Sequence, residues 1–255
     1  MVERSVKGSL RNFGIDISYV RNKQNCPEMY MNCLRGAMSV KKPLNIIQVG
    51  ANDGKHNDPI YDFVRSNKHH TNIVLVEPIE TVIPHLERNY TYHPSSEVVN
   101  KAIGRENGTI RLYSIKEKYW GDIDTEYGDN WPDYRIATGV TTKNKNQLLN
   151  WISKNVQTQS TPNEVLTYFD VEIISPRSII DESDIINEIQ LLQVDAEGMD
   201  DDVVYSFFDD NIYPNIINIE KKHLSKESME EYDKKLQNKG YNVYNYTSNE
   251  MIAIK

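Results

Sequence analysis

Cysteine is nearly absent from this chain of 255 residues, which holds only Cys26 and Cys33. Their separation is not a zinc-ligand spacing, and two thiols make no disulfide framework. Reduced, structural thiols are expected, which fits a cytoplasmic compartment. Long apolar runs are missing too. No stretch reaches membrane-spanning length, and Met1-Val2-Glu3-Arg4 opens no apolar signal core, so no membrane partner is expected. There is no basic block, and the net charge is −8. Long-range electrostatics therefore oppose nucleic-acid phosphates, and no nucleic-acid partner is expected. Internal repeats are absent as well. The length suffices for one large α/β domain with a small extension.

What is present is a glycine turn at the end of an apolar run. Residues 45–54 read Asn-Ile-Ile-Gln-Val-Gly-Ala-Asn-Asp-Gly, and Glu77 follows a second run, Ile73-Val74-Leu75-Val76. Gly50 and Gly54 allow a sharp turn and a close approach of backbone to ligand. Glu77, at the tip of the next strand, is placed to accept hydrogen bonds from a ribose diol. A dinucleotide site expects G-x-G-x-x-G. Here the third glycine is missing, and Asn52 and Asp53 occupy the turn. Asp53 would repel a diphosphate and suits a positive ligand. S-adenosylmethionine (SAM) has a ribose, no phosphate and two positive groups, so the turn favours SAM over a dinucleotide.

The spacing predicts an N-terminal helical extension over 1–41, with a helix at 28–38, and a main domain over 42–255. Strands are expected at Leu44–Val49, Ile73–Val76, Glu97–Ile103, Thr109–Ile115, Val171–Ile174, Ile189–Val194 and Ile216–Ile219. Helices are expected near 59–65, 81–89, 200–208 and 225–238. Tyr241–Tyr246 and Met251–Ile254 predict a terminal antiparallel hairpin. Repeated β-α-β units imply a doubly wound, mostly parallel sheet with helices on both faces. The crossover rule then puts the loops at 50–54, 77–80, 100–104, 195–199 and 220–224 on one edge. An aromatic and acidic insertion occupies about 116–165.

Four segments together resemble the FkbM family of SAM-dependent methyltransferases, within the class I Rossmann-like fold. They are Val49-Gly50-Ala51-Asn52-Asp53-Gly54, Val76-Glu77-Pro78, Asn100-Lys101-Ala102-Ile103-Gly104, and Leu192-Gln193-Val194-Asp195-Ala196-Glu197-Gly198. The match spans roughly residues 44–245. Gln48 and Gln193 depart from the pattern, where an acid and a lysine are common. The resemblance implies O-methylation of sugars or other hydroxylated molecules. It also implies a cofactor set of Gly50, Ala51, Asn52, Asp53 and Gly54, with Glu77 and Pro78, with Asn100, Lys101 and Ala102, and with Asp195.

Methyl transfer needs an aligned acceptor hydroxyl and a group that removes its proton. Asp195, facing the methyl end, is the expected orienting residue and base. His223 is the alternative base by intrinsic pKa. Glu197 and Glu220 stand on the same edge, on the acceptor side. Trp120, Trp131 and Tyr134, interleaved with carboxylates in the insertion, offer stacking faces and hydrogen-bond acceptors to a sugar or other small-molecule or glycan acceptor. No metal site is expected. Two other readings stay open: a nucleotide-dependent oxidoreductase on the same architecture, and a catalytically inactive SAM-binding module.

Overall fold

The computed structural model describes Cys26 and residues 28–124, 131–222 and 226–255. Helix α1 (Glu28–Val40) is followed by β1 (Leu44–Val49), α2 (Tyr61–Ser66), β2 (Thr71–Val76), α3 (Ile83–Tyr90) and β3 (Ser96–Val99). Next come β4 (Ala102–Ile103), β5 (Gly108–Ile115), α4 (Asp133–Thr138), α5 (Lys145–Asn155), α6 (Pro162–Val165), β6 (Leu166–Ile174) and α7 (Pro176–Glu182). The chain closes with β7 (Leu191–Val194), α8 (Asp200–Asp209), β8 (Ile216–Glu220), α9 (Lys226–Asn238), β9 (Asn242–Asn245) and β10 (Glu250–Ile254).

Seven strands form the main sheet in the order β3-β2-β1-β7-β8-β10-β9. The first five run parallel, and β10 runs antiparallel to both neighbours. The doubly wound sheet and the terminal hairpin are thus as the sequence predicts. β1 and β7 are buried along their whole length, as strands covered on both faces must be. The residues of β1 and β2 alternate between two cores. Leu44, Ile46, Ile73 and Leu75 pack with α1, α2 and α3. Ile47, Val49, Val74 and Val76 pack with α7, α8 and α9. Each fully buried aliphatic side chain contributes about 1.5–3 kcal/mol.

Two expected strands and half of a third leave this sheet. Glu97–Ile103 splits at Asn100, whose side chain donates to the Glu77 carbonyl at 2.8 Å. Its second half becomes β4, which with β6 and β5 forms a separate three-stranded sheet. Thr109–Ile115 and Val171–Ile174 belong there as well, as parts of β5 and β6 in antiparallel register. The physical signal was polar alternation. Arg111 pairs in register with Asp170 through two bonds of 2.8 and 2.9 Å on an exposed face, a pattern of half-solvated antiparallel strands.

The two departures from the family pattern sit side by side. Gln48, Gln193 and Asn218 are register partners across β1, β7 and β8. Gln193 Oε1 accepts from Tyr30 of α1 at 2.6 Å and from Asn218 at 3.0 Å. Gln48 donates to Asp58 at 2.5 Å. Residues from the aromatic insertion build a third core, in which Ile115, Tyr119, Leu148 and Ile152 are buried. No helix among the described residues is long and apolar enough to cross a membrane.

Candidate active site

The strand order reverses direction between β1 and β7, and a crevice opens at that switch point. Gly50 forms its wall. The residue has φ +73°, and a Cβ there would overlap the Asp195 carbonyl oxygen. Its N–H donates to Val76 at 2.9 Å. Only glycine meets both demands. Asn52, also in the left-handed region at φ 47°, presents its N–H to Glu77 Oε2 at 2.7 Å. The N–H of Ile79 reaches Glu77 Oε1 at 2.9 Å. Glu77 is thereby locked at the mouth of the crevice. Burial pushes its carboxyl up to about 7, against the lowering effect of those two bonds.

A first cavity, with about 680 Å³ of empty space continuous with solvent, runs along this edge. Of the expected cofactor residues, Gly50, Asn52, Glu77, Pro78, Lys101, Ala102 and Asp195 line it. The other four stand behind the wall. Ala51 is buried in the core. Gly54 closes the turn by donating to Ala51 at 2.8 Å. Gly54 has φ +66°, and a Cβ there would lie 2.6 Å from both Leu86 and Tyr90, so its need for glycine comes from the left-handed turn and from packing on α3. Asn100 holds the loop through its bond to Glu77. Asp53 turns away: its carboxylate takes His56 Nδ1 at 2.5 Å, the Tyr134 hydroxyl at 3.0 Å, and the N–H groups of Lys55 and His56. Burial alone would raise its pKa, but the bonds from His56 and the backbone win and hold it below the ordinary range. Its charge is spent inside the turn, so it does not bear on ligand sign as the sequence suggested.

Asp195 follows β7, with its N–H on the Val49 carbonyl at 3.0 Å. Its Oδ1 is buried without a hydrogen-bond partner. Burial, then the nearby charges of Glu197, Glu220 and Asp200, push its carboxyl well above the ordinary range. The loop behind it is shaped by Glu197 and Gly198, both at positive φ. Asp200 ties that loop down by accepting from Ala196 at 3.1 Å and Gly198 at 3.2 Å. Burial lifts Asp200 to about 6. An orphaned buried acceptor in the wall of an open cavity fits a ligand that brings a hydroxyl or a positive charge.

A second cavity adjoins the first. Trp131, Trp151, Leu148, Glu220 and Lys222 line it, and it shares Arg135, Gly139, Thr142, Asp195 and Glu197 with the first. Expected acceptor residues Trp131, Glu197 and Glu220 are thus brought together with Asp195. Trp120 is not: its indole N–H donates to the Ile115 carbonyl at 3.0 Å, and it packs in the insertion core. Tyr134 lines neither cavity; it stacks on His85 with ring centroids 4.0 Å apart. His223 lies outside the described residues, as do Glu126 and Asp129. Among the described residues no group of three potential ligands could hold a metal ion.

Sequence reasoning missed the roof. Arg135, Thr138, Gly139, Thr141 and Thr142 cover the first cavity. Asn52 Nδ2 donates to Thr138 Oγ1 at 3.1 Å, and Thr142 exchanges two backbone bonds with Tyr113, at 2.9 and 3.1 Å. The available signals were Arg135 and, four residues on, Gly139 beside three threonines.

The reversed sheet order, the crevice and the acid at the tip of β2 define a class I methyltransferase fold. The chain belongs to the FkbM methyltransferase domain family, whose model matches residues 48–243. It is therefore a methyltransferase, which displaces the oxidoreductase reading. No curated protein matches. Among solved structures, a crystal structure of a fibrillarin/Nop5p complex aligns at 10% identity over 86% of this chain and 78% of that one, with a TM-score of 0.35. That likeness is too weak to bear on function.

Proposed function

We propose that this methyltransferase takes SAM as donor and methylates a hydroxyl of a sugar or similar hydroxylated small molecule. One observation carries the reading: two cavities of different chemistry meet at the Asp195 carboxylate. The first ends on Glu77 and on Ala102 and Ile103, an acid and an apolar floor that would hold a ribose and a base. When bound, SAM supplies a methyl group on a sulfonium, a carbon already activated for displacement. The remaining work belongs to the chain. Trp131 and Trp151 offer flat faces to the C–H surface of an acceptor ring. Glu220 and Glu197 offer hydrogen-bond acceptors. Asp195 orients the reacting hydroxyl and accepts its proton at Oδ1. Its raised pKa makes it a stronger base than an ordinary aspartate.

The test joins calorimetry with SAM and NAD to a methyl-transfer screen over neutral sugars, hydroxylated aromatics and nucleic acids. SAM binding and transfer to a neutral hydroxylated acceptor are expected. Asp195→Asn should keep the cofactor and lose about a hundredfold to ten-thousandfold in turnover. Trp131→Ala with Trp151→Ala should raise the acceptor KM roughly tenfold. Preference for nucleic acid, or full activity of the double tryptophan variant on a neutral sugar, would overturn the acceptor assignment. SAM binding without transfer to any acceptor would make the chain an inactive binding module.

A further inference from the structure

A SAM-shaped ligand has two ends, and the adenosine end is accounted for by Glu77 and the apolar floor of Ala102 and Ile103. Its other end is an α-amino acid, whose carboxylate is the one negative group on the molecule. A wall with Glu77, Asp195 and Glu197 offers that carboxylate no positive partner, so a cation is needed to meet it. Three described cations line the first cavity: Lys101, Arg135 and Lys143. Lys101 pairs with Glu172 at 3.5 Å and Lys143 with Asp202 at 2.9 Å, each with a partner on the exposed surface. Arg135 is different. It lines both cavities at their junction.

Its guanidinium is held in one orientation. Nε donates to the His56 carbonyl at 3.2 Å and lies 3.9 Å from Asp53. The group sits over the Trp131 ring at 5.3 Å. Gly139 makes the seat: a Cβ there would lie 2.5 Å from Arg135 Nη1 and 3.0 Å from the Arg135 carbonyl oxygen. With Nε engaged on the turn after β1, the Nη groups remain for a ligand. Among the described residues no hydrogen bond takes either Nη, and the Nη1/Nη2 edge of a planar guanidinium is a donor pair that a carboxylate fits bidentately. The side chain is 11% exposed, so the contact would be largely shielded from solvent.

We propose that Arg135 is a cofactor-binding residue that receives the amino-acid carboxylate of the donor. The inference rests on the SAM reading above and adds a specificity element to it. It also gives the insertion a role in donor binding, since α4 carries both Arg135 and the Thr138 tether to Asn52. A ligand with adenosine but no carboxylate would gain nothing from Arg135.

Calorimetry with two ligands separates the outcomes. S-adenosylhomocysteine carries the carboxylate. 5′-Methylthioadenosine keeps the adenosine and the thioether but lacks the amino-acid part. Arg135→Met should weaken S-adenosylhomocysteine about tenfold to a hundredfold and leave 5′-methylthioadenosine nearly unchanged. Arg135→Lys should fall between, since a point charge replaces a fork. Unchanged 5′-methylthioadenosine binding also certifies that the variant has folded. Equal weakening of both ligands would make Arg135 a structural residue and overturn the inference. Unchanged affinity for both would remove it from the carboxylate. Failure of the unaltered protein to bind either ligand would overturn the SAM reading itself, and this inference with it.

Discussion

The floor and the roof of the site are built by different physics. The floor is the carboxyl edge of β1, β2 and β7, where backbone positions are dictated by a continuous hydrogen-bond ladder. Its key groups are few and rigid: Gly50, Glu77 and Asp195. The roof is α4 and the stretch to Thr142, held by single side-chain bonds from Asn52 to Thr138, Tyr134 to Asp53, Arg135 to the His56 carbonyl and Thr141 to Ser114, and by one isolated bridge to β5. A ladder tolerates no local change, because each strand fixes its neighbours. A tethered roof can shift, so its side chains can be altered at lower cost. Loss of a floor group should therefore damage the fold or the donor site, and loss of a roof contact should weaken a ligand.

The sharpest way to break this contrast is at Gly50. Gly50→Ala adds a methyl against the Asp195 carbonyl and forces a left-handed conformation on a residue that resists it. A loss of about 2–4 kcal/mol in denaturant unfolding is expected, with loss of cofactor binding. Gly54→Ala should be milder, since its Cβ would meet side chains at 2.6 Å rather than backbone, but its φ of +66° still strains the residue. Equal stability of the unaltered protein and Gly50→Ala would show that β1 and β7 can separate there, and that the floor is softer than the ladder implies.

Glu77 comes next. Glu77→Gln should weaken donor binding by about 1–3 kcal/mol, through loss of a charged acceptor. It also has a pH signature. The folded protein holds the Glu77 proton up to about 7, whereas the ordinary value is 4.5. The folded state therefore binds more protons than the unfolded chain between these values, and the stability contribution present below 4.5 is lost as pH rises through about 7. Donor affinity should move the opposite way, rising through the same window as the carboxylate forms to accept ribose hydroxyls. Unfolding curves and calorimetry across that range test both signs. Glu77→Gln should flatten both profiles, and a profile unchanged in the variant would assign the pH dependence to Asp200 or Asp195.

Why the floor was legible and the roof was not follows from how far each signal travels along the chain. Gly50 and Glu77 announce themselves locally: an apolar run, a turn and an acid at a strand tip. Gly54 was legible as a turn residue, but its steric partners Leu86 and Tyr90 come from a later helix, so its role was misread as ligand contact. Asp53 was read by its charge, and the answer lay in His56 and Tyr134, whose hydrogen bonds hold its carboxylate inside the turn. In the insertion, chemical prominence misled. Trp120 is conspicuous in the sequence, yet it fills the third core. Thr138 and Gly139 are plain in the sequence and end up over the cavity. The split of Glu97–Ile103 was hidden because Asn100 breaks the strand through a side-chain bond to β2's end, which no periodicity records.

The smallest expected effect is the one that tests whether floor and roof act together. Thr138 is 4% exposed and Asn52 is 6% exposed. Thr138 Oγ1 donates to the Tyr134 carbonyl at 2.7 Å while accepting from Asn52. Thr138→Val keeps the shape and removes both functions. Asn52 Nδ2 loses its acceptor, whereas Asn52 Oδ1 keeps the Asp53 N–H at 2.9 Å, so the turn itself should survive. A stability loss of about 1 kcal/mol is expected. If the tether positions the roof, donor affinity should also fall severalfold, and the effects of Thr138→Val and Arg135→Met on S-adenosylhomocysteine should be less than additive, because a displaced α4 has already withdrawn the guanidinium. Strict additivity would mean that Arg135 is held by His56 and Gly139 alone, and that the two halves of the site are joined only where the ligand itself bridges them.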